Sequence, residues 1–554
     1  MADTIVDSNV TWQETHVAPG DRLILDETKD VLIEMARASL VVENGGEIIS
    51  TPNPGVTHRI LFDTDEYHMT GSVSGVDPCT QYGDPGLWIH GKATMIGSAR
   101  VPWLRLAVQA NAGDQTITLN DLPCGWHVGQ ELAIAPQEFG DFATEVRVIT
   151  GITGNVVTLD RPLARAHRMI PFPAHNLVMG SRVVNMSNNV QVGGLKIGSR
   201  THIHICDISE PQNFQFMTIQ FAGAQTGPVK GSQPGAATGF VGRYPLHFHK
   251  NGDNSVGSIV NAVVTRDSGN HAFVPHSSNG IMMTDCYAHE TYDAAYWWDK
   301  TERTNRLSWI RCAAGGVHFD PEYQGYANLT GFWLQGAEGN KFLDCEVWGV
   351  IGNDTSNGIA WPEVTETPDN IRRWDAQRGY SHNNKRWGIF TWQNNNQPHT
   401  IIDHLTGMNG AGAIRDGAYR HGYKYQNCEG YGDNSGIEIF SSSLMPPNPT
   451  EEYTGMVYDF AGKAVNGIVI HEHGLPGQAP ALVQGTFKGY TGALLKYVES
   501  PTKEPGQFDV SAVGINGPIT PADCQIVQMH PASTLRLLNP DGTMSVYTAA
   551  GGWH

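Results

Sequence analysis

Apolar and polar positions alternate along most of this chain in short runs, each closed by Gly, Asn or Asp. Val31-Leu32-Ile33-Glu34 is followed by Leu40-Val41-Val42-Glu43 and the turn Asn44-Gly45-Gly46, a strand–turn–strand signal. Leu87-Trp88-Ile89-His90-Gly91, Thr116-Ile117-Thr118-Leu119, Glu131-Leu132-Ala133-Ile134-Ala135 and Val156-Val157-Thr158-Leu159 continue the pattern. Period 2 and the absence of helical spacing predict an all-β chain.

From about residue 185 the pattern repeats. An apolar pair, a polar residue and a small residue or Cys stand at Ile259-Val260-Asn261-Ala262, with looser copies at Met283-Thr284-Asp285-Cys286, Trp309-Ile310-Arg311-Cys312, Phe342-Leu343-Asp344-Cys345, Ile401-Ile402-Asp403-His404 and Tyr425-Gln426-Asn427-Cys428. Most copies lie roughly 24 to 33 residues apart, a solenoid period. The double-length gap between Asp344 and Asp403 predicts a further coil around Trp387-Gly388-Ile389-Phe390. An aromatic or His-rich strand precedes each copy, so each coil offers at least two strands. Stacking buries what one coil cannot bury alone. The expected fold is a right-handed parallel β-helix with an N-terminal all-β region, residues 1–180, continuous with it. The β-helix takes residues 181–515, and residues 516–554 form a terminal hairpin or cap.

In such a stack, equivalent residues of neighbouring coils sit about 4.8 Å apart. Periodicity therefore becomes spatial adjacency. In Tyr244-Pro245-Leu246-His247-Phe248-His249-Lys250, Leu246 and Phe248 inward place His247 and His249 outward together. Thr201-His202-Ile203-His204-Ile205 repeats the design with His202 and His204 outward. If the glycine-rich stretch 222–242 is a loop, the two strands sit on adjacent coils and four imidazoles share one surface. His276 before Asn279-Gly280 matches His249 before Asn251-Gly252, so these two stack, and His271 lies on the same coil. Neutral imidazoles with a carboxylate suit zinc, copper, iron, nickel or manganese, and three protein ligands with an open position make a catalytic site. The metal candidates are His247, His249, His276, His202 and His204. His471-Glu472-His473 has the same spacing farther along. An isolated surface His is more commonly solvated; it is the convergence that favours a metal.

Glycan cleavage needs paired carboxylates. Asp267, Glu290, Asp293, Asp299 and Asp320 come from the same or neighbouring coils, whereas Asp285 and Asp344 belong to the repeat and read as structural. Trp297 and Trp298 could stack on sugar faces, with Arg243, Lys250 and Arg303 lining the site for an acidic substrate.

Net charge is −19, from 36 basic and 55 acidic residues. That excludes a broad nucleic-acid surface, which needs a basic stripe. Gly is abundant at 63 residues and charge sparse at 16%, as in turn-rich β proteins. The eight cysteines contain no CxxC pair; recurrence in the strand motif favours buried thiols, with a Cys79–Cys124 disulfide left open. No stretch of about 20 apolar residues predicts a membrane span. The expected location is secreted or cell-surface with any signal segment outside this sequence, a cytoplasmic one being the alternative.

Several segments also resemble a known family. The run around Trp12, Pro19-Gly20-Asp21, Val31-Leu32-Ile33 and Leu40-Val41-Val42 resembles the domain named for its eight glycines. Gly86-Leu87-Trp88-Ile89-His90-Gly91, Trp126-His127-Val128-Gly129-Gln130-Glu131, Tyr244-Pro245-Leu246-His247-Phe248-His249 and the segment from His276-Ser277-Ser278-Asn279-Gly280 to Asp285 resemble, in the same order, the family of the cell-migration-inducing hyaluronan-binding protein and transmembrane protein two. The resemblance spans roughly residues 10 to 350 and departs from the family between Tyr292 and Asp299. It implies a parallel β-helix, a link to hyaluronan depolymerisation, and a functional region that contains the His-Phe-His strand. The leading expectation is a metal-dependent, endo-acting enzyme on a hyaluronan-like polysaccharide. A metal-dependent oxidoreductase and a non-catalytic glycan-binding or adhesin solenoid are the alternatives.

Overall fold

The computed structural model describes residues 2–64, 69, 71, 73, 75–224, 242–297, 303–318, 329–334, 338–352, 356–362, 374–392, 400–417, 423–440, 452–472, 481–499 and 505–554. The chain winds as a right-handed parallel β-helix with three ladders of stacked strands. The first ladder runs from Asp3–Val6 through Arg22–Leu25, Glu47–Ser50 and Lys92–Ile96 to Asn213–Gln215 and onward. The second starts at Val10–Trp12 and continues through Val31–Ala36, His58–Asp63 and Val190–Gly194. The third takes Thr15–Val17, Leu40–Val42, Leu87–Ile89, Ile203–Cys206, Leu246–Gly252 and Phe273–Ser278. Among the described residues it continues through Tyr296, bridged to Phe273 and Phe332, and on to Thr330–Trp333. The expected extra coil is present, with Trp387–Trp392 on the third ladder between Asn357–Pro362 and Gly412–Gly417.

Inward side chains of all three ladders fill one axial core. Ile33, Leu40, Ile48, Ile89, Ile205, Phe248, Val260, Phe273 and Trp309 in it are at most 1% exposed. The alternation is direct in Val31–Ala36, where every second residue is buried.

The repeated sequence motif marks one corner of the helix. In the copies from Met283 onward, and at Arg378 within the double-length gap, the polar residue turns the chain from the first ladder to the second in left-handed backbone, with φ of 54° at Asp285, 54° at Arg311, 55° at Asp344, 51° at Arg378, 53° at Asp403 and 53° at Asn427. In the first copy Ala262 takes the corner instead, at 52°. Asp and Asn tolerate this conformation better than most residues. Stacked corners alternate in charge: Arg311 pairs with Asp285 at 2.7 Å and Arg378 with Asp344 at 2.7 Å. The residue after each corner points inward, and there Cys286, Cys312 and Cys345 donate Sγ–H to backbone carbonyls of Val260, Met283 and Trp309. All eight cysteines are free, so Cys79 and Cys124 do not pair; Cys79 is buried and Cys124 exposed.

The expected division at residue 180 differs from the observed one. Parallel coils begin at Asp3, and residues 103–185 are an excursion from a coil that starts at Lys92–Ile96 and resumes at Val190–Gly194. The excursion forms a six-stranded antiparallel sheet with its own core of Leu104, Ile117, Leu119, Leu132, Ile149 and Val157. Period-2 alternation is common to hairpins and solenoid strands, so the pattern alone does not separate them. Ala133, Val184 and Met186 pack this sheet onto Val264, Tyr287, Ala313 and Trp348 of the second ladder. At the other end, Thr534–Leu538 and Met544–Thr548 form an antiparallel hairpin on the last coils. Among the described residues no helix is long and apolar enough to cross a membrane.

Candidate metal centre

The third ladder carries the histidines on its outer side. Leu87, Ile89, Ile203, Ile205, Leu246, Phe248 and Phe273 point into the axial core, so Trp88, His204, His247 and the neighbouring Cys206, His249 and His276 face away from it. Register sets His204 beside His247, Cys206 beside His249, and His249 beside His276.

The row is nevertheless buried. His202 and His204 are 0% exposed, His247 1%, His249 8% and His276 5%. The expected open surface is overlaid by residues 75–86. Ser39 Oγ donates to the carbonyl of Tyr82 at 2.7 Å, and Tyr82 Oη meets His90 Nε2 at 2.9 Å. Burial pushes the Tyr82 phenol up to about 12, so it stays protonated and donates. Asp84 and Arg243 anchor the segment. Arg243 Nε donates to Asp84 Oδ2 at 2.7 Å, and the guanidinium lies 4.8 Å from the Trp88 ring centre. Arg243 is therefore not the surface cation expected for substrate binding. It is fully buried because its charge is compensated by Asp84 and Trp88.

The structure brings together three of the five expected ligands as one group. His247, His249 and His276 offer ligand atoms within 4.8 Å of one another. His249 Nδ1 lies 3.4 Å from His247 Nε2. His247 Nδ1 lies 2.9 Å from the carbonyl of Gly242, and His204 Nδ1 3.3 Å from the same oxygen. A carbonyl only accepts, so both Nδ1 atoms carry the proton and both Nε2 atoms present a lone pair. Such second-shell bonds are what orient metal-ligating imidazoles. His204 joins a further group with His249 and Cys79. His204 Nε2 has no hydrogen-bond partner among the described residues. His202 is the exception. Its ring stands edge-on to Trp88, 4.9 Å between centres, over Gly86, where a Cβ would meet the imidazole at 2.6 Å. It belongs to no metal-capable group among the described residues.

Burial holds His202, His204 and His247 well below the usual imidazole range, and the Arg243 charge pushes the same way. Imidazoles buried beside one another, with His202, His204 and His247 held neutral, fit a cation of the zinc, copper, iron, nickel or manganese class.

The carboxylates separate. Asp267 and Glu290 occupy stacked left-handed positions inside the second-ladder strands Val264–Ser268 and Tyr287–Tyr292, with φ of 52° and 50°, in one column with Gly316 and Gly349. The two carboxylates are thus stacked on neighbouring coils. Burial pushes the Asp267 carboxyl up. Burial acts the same way on Glu290, but its hydrogen bond with His318 and the charges of His289 and His318 together outweigh it and hold the carboxyl below its ordinary range. Asp293 is different: its Oδ2 lies 3.6 Å from His271 Nε2, and His271 stacks on Trp297 at 4.0 Å and packs 5.5 Å from Tyr244, which packs 4.8 Å from His247. Trp297 is thus 5% exposed and supports His271 instead of offering a sugar platform. Lys250 is exposed beside His249, and Arg303 is half-buried. Trp298, Asp299, Asp320 and His473 lie outside the described residues.

Sequence reasoning missed Cys79 and Cys206 as candidates. Cys206 continues the alternation His202, His204, Cys206 and was legible there. Cys79 arrives on a one-turn 3-10 helix, Pro78–Thr80, of the covering segment, which no periodicity announces.

No protein-family model matches the chain, and no curated protein matches it. Among solved structures it is similar to the tailspike protein gp49 from Pseudomonas phage LKA1, at 11% identity and TM-score 0.23 over 90% of this chain and 74% of that one. It is similar to the gp54 tailspike of Acinetobacter baumannii bacteriophage AP22, solved with A. baumannii capsular saccharide, at 10% identity and TM-score 0.22 over 92% and 74%. It is also similar to the A-module of the Azotobacter vinelandii mannuronan C-5 epimerase AlgE4, at 13% identity and TM-score 0.19 over 63% and 83%. The likeness to the hyaluronan-binding family rests on its sequence motifs alone.

Proposed function

We propose that this chain is a metal-dependent, endo-acting glycan-cleaving enzyme, with a hyaluronan-like polysaccharide as the first substrate to test and an extracellular or cell-surface place of work. The observation that carries the reading is the convergence of His247, His249 and His276 from neighbouring coils, ligand atoms within 4.8 Å. A bound ion would supply a Lewis acid or an activated water. The Gly242 carbonyl fixes the His247 tautomer, and burial keeps the ring unprotonated. Residual exposure rises toward His249 and His276, so a polymer approaches from that end of the row, where Lys250 is exposed and suits an acidic sugar. Asp293 with His271 is the acid–base pair best placed to move a proton there.

The test is metal content by mass spectrometry beside depolymerisation of hyaluronan and related glycans. Wild type should hold near-stoichiometric transition metal and shorten the polymer; the double variant His247→Ala/His249→Ala should lose both and keep its β-sheet spectrum. No metal in the wild type after reconstitution would end the metalloenzyme reading and favour a binding solenoid. The deep burial of the row favours a second reading, an oxidoreductase, for which substrate-dependent oxygen consumption is diagnostic.

A further inference from the structure

We propose that Cys79, His204 and His249 form a second metal site, a mixed thiolate–imidazole one that takes a soft or borderline transition ion such as copper(I) or zinc and fastens the covering segment to the coil stack. The Cys79 sulfur and one nitrogen from each imidazole lie within 4.8 Å of one another, and all three residues are buried. The ligands come from separate elements: the turn Pro78–Thr80 above, and the strands Ile203–Cys206 and Leu246–Gly252 below. His249 is common to this group and to the three-imidazole group, so the two sites adjoin.

Two further observations point to a ligand. His204 is 0% exposed and donates from Nδ1 to Gly242, yet its Nε2 lone pair has no donor among the described residues. A buried acceptor without a partner is destabilising, and a cation would remove that cost. Cys79 also differs from the structural thiols. Cys286, Cys312 and Cys345 each bond a backbone carbonyl of the adjacent coil, whereas Cys79 faces imidazoles and groups with Cys206 and Asp207 within the same 4.8 Å. Thiolate with imidazole selects zinc or copper(I) over harder ions. Ligation releases the thiol proton to solvent. Its metal binding requires no glycan cleavage, although His249 is shared with the three-imidazole group.

The test uses the full chain, stripped with chelator and titrated with cobalt(II) without oxygen. Wild type should develop the near-ultraviolet thiolate-to-cobalt charge-transfer band. Cys79→Ser should lose it and His276→Ala should keep it, which separates this site from the three-imidazole group. A second measurement needs no variant. Zinc at about ten times its dissociation constant should slow alkylation of Cys79 about tenfold, while exposed Cys124 serves as the unchanged reference. A missing band in the wild type, a band that survives Cys79→Ser, or equal alkylation with and without zinc overturns the proposal. Failure to cleave any glycan would leave it standing.

Discussion

Asp433 is fully buried and accepts from the Thr406 hydroxyl at 2.8 Å, the Asn409 backbone at 2.9 Å and the Asn409 side chain at 2.8 Å. Those bonds favour the carboxylate, but burial outweighs them and pushes its carboxyl from 3.8 up to about 7. The folded state therefore binds this proton more tightly than the unfolded one. The stability it contributes is full below 3.8 and is lost as pH rises toward about 7, at about 1.4 kcal/mol per pH unit. Asp433→Asn should leave stability at pH 4 little changed and raise it at pH 8, as read by denaturant unfolding at both. A constant difference between the proteins at the two pH values would contradict the assignment. At this scale the histidines were legible, because strand alternation and coil stacking together fix where a side chain goes. Asp293 was legible only as one carboxylate of several, since its pairing with His271 depends on a turn that no period describes. The left-handed backbone of Asp267 and Glu290 was not legible, because acidic residues occur in many backbone settings.

The corner itself is the element best read from sequence. Its apolar–apolar–polar–small signature is the last first-ladder residues, the left-handed turn and the first inward side chain. One position in that inward column is Gly379, and it makes room for the next coil's His404: a Cβ on Gly379 would meet the imidazole at 2.4 Å. His404 is fully buried, and burial alone pushes it down to about 3. Gly379→Ala should cost roughly 1–3 kcal/mol of stability by overpacking. Adding His404→Ala should cost less than the sum of the single changes, a coupling that a double-mutant cycle in denaturant measures. Strict additivity would mean the two positions do not share that space. The motif disclosed His404 but not Gly379, which lies in the double-length gap, because Gly in a turn-rich chain has too many other uses.

At the scale of the molecule, one carboxylate ties the antiparallel excursion to the coils. Glu346 is 1% exposed and meets Arg105 at 2.6 Å, Arg182 at 3.5 Å and His382 at 3.1 Å. Burial opposes its ionisation, but Arg105, His382 and Arg182 together hold the carboxyl far below its ordinary range. Glu346→Gln would leave the fully buried Arg182 without its counter-charge, a loss of about 3–5 kcal/mol. Limited proteolysis should then cut within residues 103–185 before the coils; unchanged resistance would show that apolar packing alone holds the sheet. The solenoid was legible from its period. The excursion and the covering segment were not, because both are single events in a sequence whose information lies in repetition.

The alternating corner charges constrain how such a chain can lengthen or shorten. Asp285, Arg311, Asp344, Arg378 and Asp403 take opposite signs in successive coils. Excising one coil, such as the one that carries Arg311, would set Asp285 against Asp344, while excising two adjacent coils would restore opposite neighbours. Each exposed pair is worth only about 0–1 kcal/mol, so the rule acts as a bias. It nonetheless gives this solenoid a parity: duplications and deletions are best tolerated in even numbers of coils.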